Sequence, residues 1–114
     1  MFSSLFPKRA AAPDATTIGH DELELALSDG ACAIVDVREP NEYAAGHIPG
    51  ALNLPMSRFN VKLLPTDKGV VLMCRSGGRS SNALRQALAA GRADVRHYAA
   101  GMIGWSARGG RVVR

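Results

Sequence analysis

An open α/β fold, in which a parallel sheet is covered by helices on both faces, is the architecture this sequence predicts. Two observations carry the prediction. Short apolar runs alternate along the chain with stretches of helical periodicity, the rhythm of parallel strands joined by crossover helices. The most apolar run, GVVLMC at residues 69–74, passes through the rest of CRSGGRS into a helix-like stretch from Ser80 to Ala90. A buried strand, a tight turn and a helix therefore follow one another directly.

Taken in order, HDELELALSDG reads as a first helix. Asp21 and Glu22 suit its positive N-terminal end, Leu23, Ala26 and Leu27 share a face, and Gly30 ends it. CAIVDV is a buried strand, and EPNEYAAG a short helix with Pro40 near its start and Gly46 just past its end. GALNLP gives a third run, read as a strand stopped by Pro55, and RFNVKLL a short helix. Ser80 to Ala90 places Ala83, Leu84, Ala87 and Leu88 on one side of a helix, and DVRHYA is the last strand. Neither an internal repeat nor a long linker divides the chain.

With 114 residues, 46% of them hydrophobic, the chain is one domain's worth and can bury a core. Residues 1–15 are expected to be a flexible N-terminal tail and residues 16–114 the single domain. MFSSLFPKRAAAP lacks the apolar segment of a secretory signal, and no window approaches the apolar length of a membrane span. Cys32 and Cys74 lie far apart, which is no disulfide framework and suits a reducing cytoplasm.

The net charge of +4 conceals an asymmetry. Residues 1–68 carry 6 basic and 9 acidic side chains, whereas residues 69–114 carry 8 arginines against Asp94 alone. The half containing Cys74 is thus a cationic field, suited to a small anion or an acidic protein. Nucleic acid is the weakest partner: aromatics are 5% and no groove-reading motif is present. The basic tail RGGRVVR reads as a solvated C-terminus.

Cys74 ends a central strand, at the carboxyl edge of the sheet where ligands of α/β proteins bind. The chain then turns through Arg75, Ser76, Gly77 and Gly78 into a helix expected to start near Arg79 or Ser80. A helix N-terminus leaves backbone N–H groups unpartnered and carries about half a positive charge, so it favours an anion. Two glycines let the loop curl until successive amides point inward at one atom. A cysteine at that focus, with Arg75 and Arg79 beside it, should ionise well below its free value of about 8.5. Cys32, set in GACAIV without polar neighbours, reads instead as a core residue.

Cys74-Arg75-Ser76-Gly77-Gly78-Arg79-Ser80 resembles the active-site pattern Cys-x-x-Gly-x-Arg-Ser of the single-domain rhodanese (thiosulfate sulfurtransferase) family. DVREPNEYAAGHIPGALNLP, from Asp36 to Pro55, is similar to the family's upstream signature, and AAGMIGW, ending at Trp105, to its closing Gly-Gly-x-x-x-Trp segment. The resemblance runs from about Thr17 to Val112. It implies a three-layer α/β/α fold around a mostly parallel sheet of about five strands. One departure is Ala100, where the family usually has the first glycine of the pair. A positive φ there would reshape the turn.

The resemblance also implies a two-step sulfur transfer. The Cys74 thiolate takes the sulfane sulfur of thiosulfate or a related donor, and an acceptor, cyanide or a thiol, removes it. Neither a metal nor another cofactor is required. In this reading Cys74 is the nucleophile, and the backbone amides from Arg75 through Ser80, including Ser76, Gly77, Gly78 and Arg79, form the anion cradle. Arg75 guides the anionic donor. Arg79, a cation at a helix start, needs a compensating partner and is expected in a bidentate pair with Asp36 or Glu42. Asp36 and Arg38 orient the pocket. His47 is a structural hydrogen-bonding residue, and Trp105 is core packing. His20, His47 and His97 have no metal-ligand spacing with either cysteine.

Other functions share this loop logic. Cysteine phosphatases and arsenate reductases place one more residue between cysteine and arginine, and the shorter ring of amides here suits a single sulfur better than a tetrahedral oxyanion. A protein-to-protein sulfur relay would use the same persulfide. A binding module without catalysis would have no use for the cysteine and its cradle. The chain is expected to be a monomer that binds neither membrane nor nucleic acid.

Overall fold

The computed structural model describes residues 16–114. The expected N-terminal tail, residues 1–15, lies outside the described residues. In chain order the elements are α1 (His20–Asp29), β1 (Cys32–Asp36), α2 (Pro40–Ala45) and β2 (Leu52–Asn53). Two 3-10 turns, Met56–Arg58 and Val61–Leu63, lead to β3 (Gly69–Met73), α3 (Gly78–Ala89), β4 (Val95–His97) and α4 (Gly101–Ala107).

Local chemistry accounts for the helix ends. α1 carries Asp21 and Glu22 in its first turn and closes on Gly30 at φ 65, a left-handed position that costs glycine little. The amides of Gly30 and Ala31 then return to the carbonyls of Leu27 and Ala26. α2 starts with Pro40 in its first turn and a reciprocal cap, in which the Glu39 amide donates to Glu42 Oε1 at 3.0 Å while the Glu39 side chain accepts from the Glu42 amide.

Among the described residues the sheet has four strands in the order β2-β1-β3-β4, every pair parallel. About five strands were expected. Thr17 occupies the place of another on the β4 edge, but it makes only an isolated parallel bridge with His97, and the Ile18 amide donates to the His97 carbonyl at 3.2 Å. Because the sheet is covered on both faces, its central strands run continuously apolar from Cys32 to Val35 and from Val70 to Met73 rather than at alternate positions, with Asp36 as the charged end of β1. Ile34, Val71 and Met73 face one core with Leu23, Met102 and Trp105. Val35, Val70, Leu72 and Cys74 face the other, with Ala83, Leu84 and Ala87 of α3.

Four readings change. RFNVKLL is not one helix: Phe59 and Asn60 are extended, and the Asn60 side chain accepts from the Lys62 amide, restarting the chain as a second 3-10 turn. Leu88 is 41% exposed and stands outside the buried stripe of α3. α4 was not foreseen, since Gly101 and Gly104 lower the helix propensity of its seven residues. The basic tail is docked rather than solvated. Val113 and His47 exchange backbone hydrogen bonds of 2.9 Å, and the Arg111 carbonyl accepts from Trp105 Nε1 at 2.8 Å. Among the described residues, no helix is long and apolar enough to cross a membrane.

Candidate active site

Because all strands run parallel, their carboxyl ends gather at one edge, and there β3 delivers Cys74. The side chain is 1% exposed. α3 begins at Gly78, one or two residues earlier than expected, with Gly77 as its cap at φ 101. The positive φ is what turns the loop back over the sulfur. A Cβ on Gly77 would also come within 2.6 Å of the Ala99 carbonyl oxygen. The Gly77 amide lies 3.1 Å and the Ser80 amide 3.4 Å from Cys74 Sγ, and Ser80 Oγ stands 3.6 Å away. Of the six amides expected around the sulfur, those of Gly77 and Ser80 are within bonding distance, and that of Ser76 adds to the favourable field.

Burial alone would push the Cys74 thiol up. The Ser80 amide, the Ser80 hydroxyl and the Gly77 and Ser76 amides together outweigh it, so the pKa is lowered. The shift runs in the expected direction, and its source is the hydrogen bonds of the loop rather than the charges of Arg75 and Arg79. Arg79 and Cys74 also interact at longer range, and the thiolate helps to raise the arginine's pKa.

α4 supports the loop from the other side. Its early amides have no partner within the helix. Met102 N–H donates to the Cys74 carbonyl at 2.9 Å and Ile103 N–H to the Arg75 carbonyl at 3.1 Å. Gly101, at φ 63, allows this approach, since a Cβ there would sit 2.3 Å from the Arg75 oxygen. The preceding Ala100 is right-handed helical (φ −67, ψ −26), so alanine fits where the family usually has glycine and the turn is not reshaped.

The carboxylates sort themselves into two pairs. Arg79 pairs with Glu42 and not with Asp36: Nη1 reaches Oε1 at 2.6 Å and Nη2 reaches Oε2 at 3.1 Å. Asp36, fully buried, is taken by Arg38, whose Nη2 lies 2.7 Å from Oδ2 and also donates to the Gly46 carbonyl at 2.7 Å. Both pairs tie α2 and its flanking loops to the sheet edge that carries Cys74. The Arg79 hydrogen bonds hold Glu42 down at about 2, against a desolvation effect that would raise it. A depressed carboxylate stabilises the fold above its unfolded pKa and loses that contribution as pH falls through the folded value. Acid titration should therefore show a loss between pH of about 4.5 and about 2 that is absent in Glu42→Gln, read as the urea midpoint at each pH. Its size should be about 1 kcal/mol, because solvent screens the partly exposed Arg79.

Half of the arginines in the cationic field are paired with carboxylates: besides Arg79, three others are. Arg92 meets Asp94, Arg96 meets Glu22, and Arg108 meets Asp21. Arg75 is exposed, and among the described residues its guanidinium has no hydrogen-bond or ion-pair partner. It lines a cleft of about 430 Å³ with Arg38, Glu42, Met102, Ile103 and Ser106. Ser76 and Gly78 are exposed on the same loop.

His47 is not gathered into this site. Its Nδ1 bonds the Tyr43 carbonyl at 2.8 Å and its ring stacks on Tyr43 at 3.7 Å. Cys32 is half-buried at the opposite end of the sheet, and burial raises its thiol pKa. Trp105 is buried, 2% exposed, as expected of packing. On α1, His20, Asp21 and Glu24 are close enough for a metal ion, but each already has a partner: Tyr98 and Glu24 for His20, Arg108 for Asp21. Sequence reasoning missed one neighbour of the loop: His97 Nδ1 lies 2.9 Å from Ser80 Oγ. Its place at the carboxyl end of the last strand, the same edge as Cys74, was the available signal.

The profile of the rhodanese-like domain family matches residues 19–108. An uncharacterised protein of Synechocystis, slr1261, is 40% identical over 95 residues, which are 82% of this chain and 53% of that protein. The chain therefore spans about half the length of that relative. A protein of Allochromatium vinosum named sulfurtransferase is 40% identical over 78 residues, 67% of this chain and 73% of its own. Among solved structures, the human single-domain sulfurtransferase TSTD1 superposes with a TM-score of 0.73 at 30% identity, over 82% of this chain and 96% of that one.

Proposed function

The chain belongs to the rhodanese-like domain family, and on that premise we propose that it is a sulfurtransferase working through a Cys74 persulfide, with thiosulfate or a related anion as donor. The observation that carries the reading is the sulfur itself, buried at the start of α3, held by two amides and a hydroxyl, with its pKa lowered. The relatives named sulfurtransferase support sulfur transfer in general.

The proposed cycle balances without an external oxidant. The Cys74 thiolate attacks the sulfane sulfur of thiosulfate, a new S–S bond forms, the donor's S–S bond breaks, and sulfite leaves with the electron pair. Cyanide or a thiolate then attacks the outer sulfur, and Cys74 departs as the thiolate it began as. The loop amides would stabilise the negative sulfur at both stages. Neither step needs a base once the thiolate is formed. A monomer in a reducing cytoplasm, where both thiols would stay reduced, is the proposed setting.

Arg75 is proposed as the donor's guide. Arg75→Ala should raise KM for thiosulfate about three- to tenfold at low ionic strength and leave kcat within about twofold, and added salt should erase the difference. Equal KM values at low salt would remove the role. A protein donor or acceptor is the second reading, favoured by the exposed Arg75 beside a half-exposed Ile103 at the cleft mouth.

The test is an initial-rate matrix in thiosulfate and cyanide. Parallel double-reciprocal lines are expected of a ping-pong cycle. Hydrolysis of an aryl phosphate or reduction of arsenate, with no sulfur transfer, would overturn the reading in favour of the phosphatase-type chemistry.

A further inference from the structure

We infer that His97 positions the Ser80 hydroxyl as a hydrogen-bond donor to the ionised sulfur of Cys74. The inference rests on the proposed role of Cys74 as nucleophile and makes His97 a positioning residue, since it reaches the sulfur only through Ser80.

Three buried groups form the chain. Ser80 Oγ stands 3.6 Å from Cys74 Sγ, 2.9 Å from His97 Nδ1 and 3.2 Å from the Gly77 carbonyl oxygen. Ser80 is 0%, Cys74 1% and His97 9% exposed, so solvent cannot readily replace a missing partner. A hydroxyl has one proton to give. The Gly77 carbonyl, a bare Nδ1 and an ionised sulfur all compete for it.

While Cys74 is a thiol there is no conflict. Its S–H donates to Ser80 Oγ, and the serine proton goes to Nδ1 or to the carbonyl. Once the thiol proton has left for solvent, the sulfur can only accept. A bare Nδ1 would then hold the serine proton and turn an oxygen lone pair toward the thiolate. With the proton on Nδ1 instead, His97 donates to Ser80 Oγ and ceases to compete, and the hydroxyl is released toward the sulfur. The ring stays neutral by exchanging its Nε2 proton for one on Nδ1. The same direction of donation would serve the persulfide anion.

The surroundings favour a neutral ring. On this face of the sheet β3, β4 and α3 present Leu72, Val95, Ala83, Leu84 and Ala87, all apolar. Arg96 turns away to Glu22 and the Thr17 carbonyl, and the chain at Thr17 and Ile18 meets His97 through its backbone. Burial is the sole cause of the lowered His97 pKa. Around the sulfur, Arg79 is pinned by Glu42, and Asp36 by Arg38.

The experiment is the pH profile of Cys74 alkylation by iodoacetamide in the full chain carrying Cys32→Ser, which needs no sulfur transfer. His97→Leu removes the N–H that holds Ser80 Oγ and leaves the hydroxyl free to turn to the Gly77 carbonyl, so the profile should move to higher pH and alkylation at neutral pH should slow severalfold, up to the roughly tenfold worth of one hydrogen bond to a charged sulfur. His97→Asn, whose amide can donate from near the Nδ1 position, should restore most of the rate. Ser80→Ala, which deletes the donor itself, should be at least as slow as His97→Leu, and the double variant should be no slower than Ser80→Ala. Leu and Asn variants with the parent profile, or effects of Ser80 and His97 that multiply, would overturn the inference. Should the Leu variant fail to fold, the nitrogen NMR spectrum of the parent decides: a proton on His97 Nδ1 above the Cys74 pKa is expected, and one confined to Nε2 would overturn it. A profile that behaves as expected in a chain that takes sulfur from no donor would instead count against the sulfurtransferase reading alone.

Discussion

Replacing Cys74 with alanine should abolish sulfur transfer, lowering turnover with thiosulfate and cyanide by more than about a thousandfold. No second nucleophile can take over. Cys32, the other thiol, lies at the far end of the parallel sheet with its pKa raised by burial, so Cys32→Ser should keep turnover within about twofold of the parent. The alanine variant should still fold, because Cys74 packs on its apolar side against the cluster of Val35, Leu72 and Ala83, and the exchange removes one sulfur with its hydrogen bonds from the Gly77 and Ser80 amides while leaving that cluster in place. Steady-state assays beside circular dichroism separate the two effects. Turnover in Cys74→Ala within tenfold of the parent would contradict covalent catalysis at this residue.

The largest effect on stability should come from Asp36→Ala. Asp36 is wholly buried, and its carboxylate accepts from the Arg38 amide at 3.0 Å, from Nε at 3.0 and 3.1 Å, and from Nη2 at 2.7 Å. Removing it leaves a guanidinium that is 8% exposed with the Gly46 carbonyl as its remaining partner. An unpaired buried charge costs about 3–5 kcal/mol, a large share of the 5–15 kcal/mol of roughly any domain's stability. The Arg79–Glu42 pair, closer to solvent, should matter far less. Replacing both Asp36 and Arg38 with apolar residues should cost less than Asp36→Ala alone, since no charge is then stranded. Urea denaturation at neutral pH measures all three. Asp36→Ala within about 1 kcal/mol of the parent would show that Arg38 finds water or another partner.

The parts of the fold legible in the sequence are those whose signal is local. GVVLMC is continuously apolar because both faces of β3 are covered, and CRSGGRS carries its glycines where the backbone turns around a sulfur. Gly30, Pro40 and Gly46 mark helix ends by their backbone geometry alone. α4 was hidden because its order comes from outside it: Gly101 and Gly104 argue against a helix, while the Cys74 and Arg75 carbonyls hold its first amides. The choice of Glu42 over Asp36 as the partner of Arg79 was equally out of reach. Both are acidic residues near the same edge, and only the folded chain shows Arg38 turning back onto Asp36 two positions away. His97 belongs to the same class, since its bond to Ser80 spans two elements.

The measurement that tests the central claim most directly is the intact mass of the protein after incubation with thiosulfate, then after addition of cyanide. A gain of roughly 32 Da, one sulfur atom, that is absent from Cys74→Ala and vanishes with cyanide is the predicted result. An unchanged mass with thiosulfate, in a protein that nevertheless turns over thiosulfate and cyanide, would contradict the persulfide and the covalent cycle built on it.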